Sequence, residues 1–562
     1  GYGDWHTELL WGEGTDTTLR ATVVKGSPFV FCEIDGRAEI RAVDVVPKWP
    51  GQGTEGNQLS ADDISVWGYS DNYFGLTVTN TVSESGEETT YERHFGVYAP
   101  ENATWEGVSA DGVTADALGS DLDGQGYLTV AALPGQNEPL LNELANYAYN
   151  HVTDTRIDWE YVQRDEQGSV VSAVETTYTF ETDNKAESTT GDGETVAWLY
   201  PHQHKHTDDP LTAYTTWTER GTAKLFKGSE LTTSLTYPGI LPWLPSALLD
   251  GSQQTELSGL LDELMNEYTQ TDEETSEEYL WPYSYGVPSD SYFGGKDPFR
   301  LGNVAPMAGE LGHSNADDLY DAISTRVGHR VEADDQFTYD GRTYTTRDGN
   351  GNVRELFEYV SELGTLLPHD GNFGSVTDIN DHHFHFGYWV YGASIVGLDE
   401  DPTTEGTWVD RYGDMIDLLA RDYANWERPE NDGRSTGAAL TDTTPRDSPK
   451  DAFPFLRCFD AWEGHSWASG TSSGSGTGQE SSSEAINSYA AMIRWGEVRL
   501  RHAETAEERD HARQIRDTGV FLYTQEITAV LEYWFDVQDD SLPSDWGADL
   551  SDPADIAVSA QP

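Results

Sequence analysis

The chain has 562 residues, with 99 Asp and Glu against 33 Lys and Arg, and a formal net charge of −66. That sign excludes nucleic acid as an expected partner, because phosphate binding requires clustered cations, and the length implies two or three domains rather than one core. Its 18 Trp and 12% aromatic content exclude a disordered acidic chain and imply packed cores beneath an acidic surface.

Self-repulsion at this charge is tolerable where salt shortens the Debye length to about 3 Å near 1 M, so adaptation to high salt is expected. The two cysteines, Cys32 and Cys458, are far apart and signal neither a disulfide framework nor a zinc site. No run of 18 apolar residues occurs, so no membrane-spanning helix is expected. A chain starting at Gly1 reads as processed or trimmed.

From residue 17 to about 240 the pattern is strand after strand, as in Thr17 to Val24, Phe29 to Ile34, Ile64 to Tyr69, Thr176 to Glu181 and Thr195 to Tyr200. Short strands between frequent turn signals predict an antiparallel β-sandwich over 1–244. Pro238, Pro242 and Pro245 mark a boundary, and Leu257, Leu260, Leu261, Leu264 and Met265 then recur at helical spacing. A small connecting domain is expected over 245–289, ending in the turn-rich Tyr283 to Pro288. A helical domain is expected over 290–562, interrupted by a hairpin around Phe337 to Val353. Trp408, Tyr412, Met415, Ile416, Leu419 and Tyr423 share one helical face, as do Ile486, Tyr489, Ala490 and Ile493, and a third long helix covers about Ala506 to Phe535. Asn431 to Lys450 reads as a surface insertion. The chemically rich segments fall where helices begin, so a helical toroid with its site at the helix ends is the natural architecture.

Asp381 precedes a predicted helix containing His382, His385, Tyr388 and Trp389. An aromatic cleft there would raise its carboxyl pKa and keep it protonated as a general acid. The alternative is a plain N-cap. Glu480 and Glu484 open the next long helix, and Ser481 with Glu484 forms an S-x-x-E capping box, giving Glu484 a competing structural role. Glu480 lies just outside that helix, where the dipole favours the ionised form that a general base needs. The pattern supplies one candidate acid and two candidate bases, and glycosidic hydrolysis requires one such acid–base pair. The rings of Tyr388, Trp389, Tyr391, Trp462 and Trp467 surround them, as sugar-stacking surfaces or as core.

His382, His383 and His385 cluster, while His202, His204 and His206 alternate as on one strand face. No HExxH or carboxylate ligand set accompanies them, so no catalytic metal and no cofactor is expected. His385 is read instead as a partner of substrate or of a carboxylate. Gly470 to Gly478 and Gly349 to Gly351 lack the phosphate-loop pattern and are read as loops.

At NDHHFHFGYWVYGAS (380–394), FPFLRCFDAWEGHSWASG (453–470) and GQESSSEAINSY (478–489) the chain resembles glycoside hydrolase family 81, inverting endo-1,3-β-glucanases. Weaker similarity runs through GDWHTELLW (3–11), RGTAKLFKG (220–228), YPGILPWLP (237–245) and DSYFGGK (290–296). The resemblance implies a β-sandwich, a small connecting domain and an (α/α)6 toroid. It implies that Asp381 is the proton donor, with the base among Glu480 and Glu484, and the helix-end argument leans towards Glu480. His385, His465 and Asp460 would bind glucosyl units or orient the carboxylates, with Tyr388, Trp467 and Lys296 as further substrate-binding residues. Cys458 stands where the family usually has Asn, and Ser475 to Gly478 replaces a more polar stretch. Relative to the family pattern, the first sandwich strands and the last part of the toroid are expected to be missing.

The expectation is a secreted, salt-adapted, monomeric endo-1,3-β-glucanase acting on laminarin-like β-glucans by single displacement. The competing readings are a non-catalytic β-glucan-binding protein and a hydrolase dependent on a His-bound metal.

Overall fold

The computed structural model describes residues 1–541 except 14–15, 43–58, 71, 85–86, 167–168, 187–192, 242–247, 272–277, 281–289, 333–335, 340–341, 346–355, 370, 430–448, 470–477 and 539. The first half is antiparallel β. One seven-stranded sheet runs in the order His6–Glu13, Asp16–Val24, Phe29–Ile34, Tyr127–Leu133, Glu87–Tyr98, Tyr73–Glu84 and Ile64–Trp67. Among the described residues three three-stranded sheets are built from Ala38–Ile40, Leu118–Ser120 and Trp105–Glu106, from Asn150–Glu166, Ser169–Asn184 and Glu230–Thr236, and from Thr195–Leu199, Gly221–Gly228 and Leu211–Thr218. Strand alternation drives the packing: in Glu230–Thr236 Leu231, Thr233 and Leu235 are buried while the residues between them face solvent.

Helices α1 (Glu138–Leu144) and α2 (Pro201–His204) lie within the β half. They are followed by α3 (Gly251–Tyr268), α4 (Phe293–Leu311), α5 (Ala316–Glu332), α6 (His382–Asp399), α7 (Trp408–Ala424), α8 (Pro449–Ala452), α9 (Ser482–His502) and α10 (Ala506–Tyr533). Helix α6 is the hub: His382 through Gly397 are buried on every face, and α4, α5, α7 and α9 all pack on it. Gly387 permits this, since a Cβ there would lie 2.4 Å from the Ser488 Cβ on α9. Trp462 joins the halves, its ring buried among Trp5, Tyr178 and Phe180 of the β half. Trp159 likewise stacks on Phe521 of α10 with centroids 4.3 Å apart.

Sheets followed by a helical array are the expected order. Two details differ. His202, His204 and His206 do not share a strand face: Pro201 opens a helical turn in which the Gln203 side chain accepts the Tyr200 N–H at 3.0 Å. On α3 Leu261 and Met265 are buried but Leu260 is 55% exposed, so the apolar stripe is narrower than the leucine spacing suggested. The expected insertion at 431–450 falls almost wholly outside the described residues, as do Tyr283 to Pro288, Gly349 to Gly351 and most of Gly470 to Gly478. Parts of the expected connecting domain lie outside them too; α3 and the hairpin Thr269–Thr271 with Glu278–Leu280 are its described portion.

Candidate active site

Asp381 occupies the N-cap position of α6, but in a left-handed conformation (φ 59°) and without a side-chain capping bond. The capping alternative is thereby set aside, because the carboxyl accepts no hydrogen bond from the first helix amides. It is buried, and among the described residues its Oδ1 has no hydrogen-bond partner. Burial first, and then the charges of Glu480 and Glu484, raise its pKa to about 7. Glu480 also stands at positive φ, 61°, two residues before α9. Candidate acid and candidate base therefore each sit on a strained residue immediately outside a helix start.

The first turn of α6 is locked below the acid. His382, fully buried, lies 2.6 Å from Asp422 Oδ1 through Nδ1 and 2.8 Å from the Ser375 carbonyl through Nε2. Asp422 also accepts the Leu366 N–H at 2.6 Å and the Thr365 hydroxyl at 2.8 Å. Burial pushes the Asp422 carboxyl up, but the charges of His382 and Arg457 hold it below the usual range. His383 is pushed down to about 3, chiefly by burial, and stays neutral. Burial raises the adjoining Cys458 thiol to about 12, so it remains a protonated, apolar-like side chain.

Glu484 departs from the expected capping box. Ser481 Oγ accepts the Glu484 N–H at 3.4 Å, but the Glu484 carboxylate does not reach back. Instead its Oε1 accepts the hydroxyls of Tyr292 at 2.9 Å and Tyr388 at 2.5 Å. Two phenol donors are a better offer to a half-buried carboxylate than one backbone amide. Lys296 donates to the Tyr292 oxygen at 2.8 Å and lies 4.0 Å from the Tyr292 ring centroid. Burial and the Glu484 carboxylate push both phenols well above their ordinary range, so they remain donors. His385 Nδ1 meets Ser291 Oγ at 2.8 Å, and burial with neighbouring cationic groups lowers its pKa to about 3. Asp381, Glu480, Glu484, Tyr388, Lys296 and His385 thus form one site.

Asp460, His465 and Trp467 form an adjoining cluster around Glu463. The Glu463 carboxylate accepts from Lys25 at 2.6 Å, Arg220 at 3.0 Å and His465 Nε2 at 2.9 Å. Burial pushes Glu463 up, but these cationic partners hold it well below the usual carboxylate range. Asp460 pairs with Lys25 and accepts the Trp467 indole N–H at 2.9 Å. Lys25 and Arg220 lie 5.1 and 5.8 Å from the Trp467 ring centroid. His465 therefore orients Glu463, not one of the three candidate carboxylates. A short stretch links the two clusters: the Asp381 N–H donates to the Ala468 carbonyl at 3.0 Å, and the Ala468 N–H to the Gly478 carbonyl at 2.7 Å.

Tyr292, Asp422, Glu463 and Glu526 were not singled out from the sequence. Tyr292 had a signal, since it lies in the DSYFGGK stretch four residues before Lys296, one helical turn away. Among the described residues no cluster of three or more His, Cys, Asp or Glu is arranged to hold a metal.

A β-sandwich joined to a helical toroid, with a buried acid facing two carboxylates at helix starts, defines the class of molecule. Residues 359–513 match the model of the glycosyl hydrolase family 81 C-terminal domain. The chain is 31% identical over 550 residues to a glucan endo-1,3-β-D-glucosidase of Acetivibrio thermocellus, covering 97% of this chain and 57% of the relative. It is 28% identical over 554 residues to one of Thermobifida fusca, covering 98% of this chain and 58% of the relative. A solved glycoside hydrolase family 81 structure from Clostridium thermocellum, in a mutant form, matches with a TM-score of 0.68 at 29% identity, covering 97% of this chain and 61% of that one. The chain thus spans less than two thirds of the length of these relatives. The family model, the relatives and the solved structure thus agree in what the chain is similar to, glycoside hydrolase family 81.

Proposed function

We propose that this chain is an endo-acting 1,3-β-glucanase that cleaves laminarin-like glucans by single displacement, with Asp381 as acid and Glu480 as base. The observation that carries the reading is the Asp381 carboxyl: buried, unpartnered at Oδ1 among the described residues and raised to about 7, first by burial and then by two glutamates. Such a group holds its proton near neutrality and can pass it to a glycosidic oxygen. Glu480, exposed at the helix edge, takes a proton from water attacking the opposite face of the sugar. Glu484, fixed by Tyr292 and Tyr388, is less free to move and supplies negative charge that keeps Asp381 protonated. The names of the relatives, glucan endo-1,3-β-D-glucosidases, supply the substrate class.

Single displacement needs room for water, so the acid and base carboxyls should lie roughly 6.5–9.5 Å apart in the substrate complex. Proton NMR of the first products from laminarin in molar salt is the test. Release of the α anomer is expected, with a loss of about 10³-fold in Asp381→Asn. A β anomer as first product would make the enzyme retaining, and no reducing-sugar release would leave a glucan-binding protein. Loss of activity in EDTA would point to a His-bound metal. Secretion into a saline medium and a monomeric state belong to the same proposal, supported by the formal net charge of −66.

A further inference from the structure

Helix α10 buries two carboxyls: Glu532 is paired with Lys205, whereas Glu526 has no salt-bridge partner among the described residues and is not used by the reaction outlined above. Leu522, Ala529 and Tyr533, one helical turn or two away on the same stripe, are apolar or ring-bearing core residues. A fully buried Glu in such a stripe costs stability unless its oxygens are occupied. Glu526 Oε2 accepts the Ser466 N–H at 2.7 Å, and Oε1 accepts the Gln479 side-chain amide at 3.4 Å.

Both partners lead to the reacting groups. Two residues beyond Ser466, Ala468 accepts the Asp381 N–H through its carbonyl and donates its own N–H to Gly478. Gly478 and Gln479 immediately precede Glu480, and the Gln479 amide also donates to Ser482 Oγ at 2.5 Å. The contacts close a ring: Glu526, Ser466 to Ala468, Gly478 to Gln479, and back to Glu526. Asp381 hangs from one side of the ring through its backbone, and Glu480 extends from the other.

We propose that Glu526 is a positioning residue that sets the separation of Asp381 and Glu480 by tying the Ser466 end of the Ser466–Ala468 stretch to the Gln479 turn. The inference rests on the assignment of those two carboxylates as acid and base. Glu526 touches neither of them, so its effect reaches the reaction only through backbone placement. Truncation should therefore act on the chemical step more than on binding, because an error of about 1 Å between reacting groups costs on the order of 100-fold.

The test compares parent, Glu526→Ala, Glu526→Gln and Gln479→Ala on laminarin in molar salt, reading kcat and KM separately. Glu526→Ala should lower kcat about 100-fold with KM within about threefold. Glu526→Gln should recover most of that loss, since an amide oxygen still accepts the Ser466 N–H. Gln479→Ala, whose side chain is half-buried and outside the helix, should lower kcat about tenfold, and it decides the matter if Glu526→Ala does not fold. Parental kcat in Glu526→Ala, or in Gln479→Ala where the former does not fold, would overturn the inference, as would equal loss in Glu526→Gln and Glu526→Ala. A parent without any reducing-sugar release would end the enzymatic reading, and this inference with it; an active parent with unaffected variants ends this inference alone.

Discussion

The Asp381 carboxyl is expensive to hold in its ionised form, and the cost has a defined pH window. Its pKa moves from an ordinary 3.8 to about 7 on folding, first by burial and then by the charges of Glu480 and Glu484. A raised folded pKa means that the favourable linkage is fully present below about 4 and is lost as pH rises through about 7. The same titration removes the proton that the acid must donate, so kcat/KM should fall above about pH 7. Asp381→Asn removes the buried charge and keeps the shape. Its stability relative to the parent should therefore rise between pH 4 and pH 8, by on the order of 2–4 kcal/mol, in thermal melts run in molar salt. Glu526 is also raised to about 7, but it is present in both proteins and drops out of the difference. A difference that stays flat across that range would mean that Asp381 is already ionised at pH 4 in the folded protein, and the acid assignment would go with it.

At the scale of elements, the site depends on how closely α6 and α9 approach, because one presents Asp381 and the other Glu484. Gly387 on α6 sets that distance: a Cβ there would meet Ser488 Cβ at 2.4 Å and Cα at 2.9 Å. Gly387→Ala must force the helices apart, and a loss of about 1–3 kcal/mol is expected together with reduced kcat. Gly309→Ala is the control; it lies near the exposed end of α4, where an added Cβ meets nothing within 4 Å among the described residues, so a gain of about 0.5–1 kcal/mol is expected. Chemical denaturation of both variants measures the contrast, and equal stabilities would refute the close-packing argument. Helix α9 was legible because Ile486, Tyr489, Ala490 and Ile493 recur at helical spacing, whereas α6 is buried on every face and shows no such stripe; Asp381 and the Glu480 segment were legible because polar residues stand out at helix starts. Glu484 was only half legible: Ser481-x-x-Glu484 reads as a capping box until Tyr292, 192 residues away, competes for the carboxylate. Glu526 gave a fainter sign, an acid one turn from Leu522 and Ala529 on α10, but its partners Ser466 and Gln479 are 60 and 47 residues distant. The His202, His204 and His206 series misled because its period of two imitates a strand, while Pro201 starts a helical turn.

For the whole molecule the decisive number is the excess of 99 acidic over 33 basic residues. Several of the scarce cations are placed where the β half meets the helical half. Lys25 pairs with Asp460 and Glu463, Arg220 with Glu463, Lys205 with Glu532, and Arg428 of the helical half with Asp4. These pairs neutralise acids at the seam, whereas the outer acids repel one another across the whole surface. At about 2 M salt the Debye length is near 2–3 Å and that repulsion is confined to neighbours; at about 0.05 M it exceeds 10 Å and acts between the halves. Dilution from the first condition to the second should therefore open the seam before it melts the secondary structure. Trp462 reports the opening, because its ring is buried in the β half among Trp5, Tyr178 and Phe180. A red shift of tryptophan emission and loss of glucan cleavage should appear at higher salt than the loss of far-ultraviolet circular dichroism. Lys25→Met, which removes one seam cation from between Asp460 and Glu463, should move the emission midpoint to higher salt while leaving the dichroism midpoint nearly in place. Unchanged emission down to about 0.05 M salt would show that screening is not what holds the halves together, and salt adaptation would have to be withdrawn as the reason for the acidic composition.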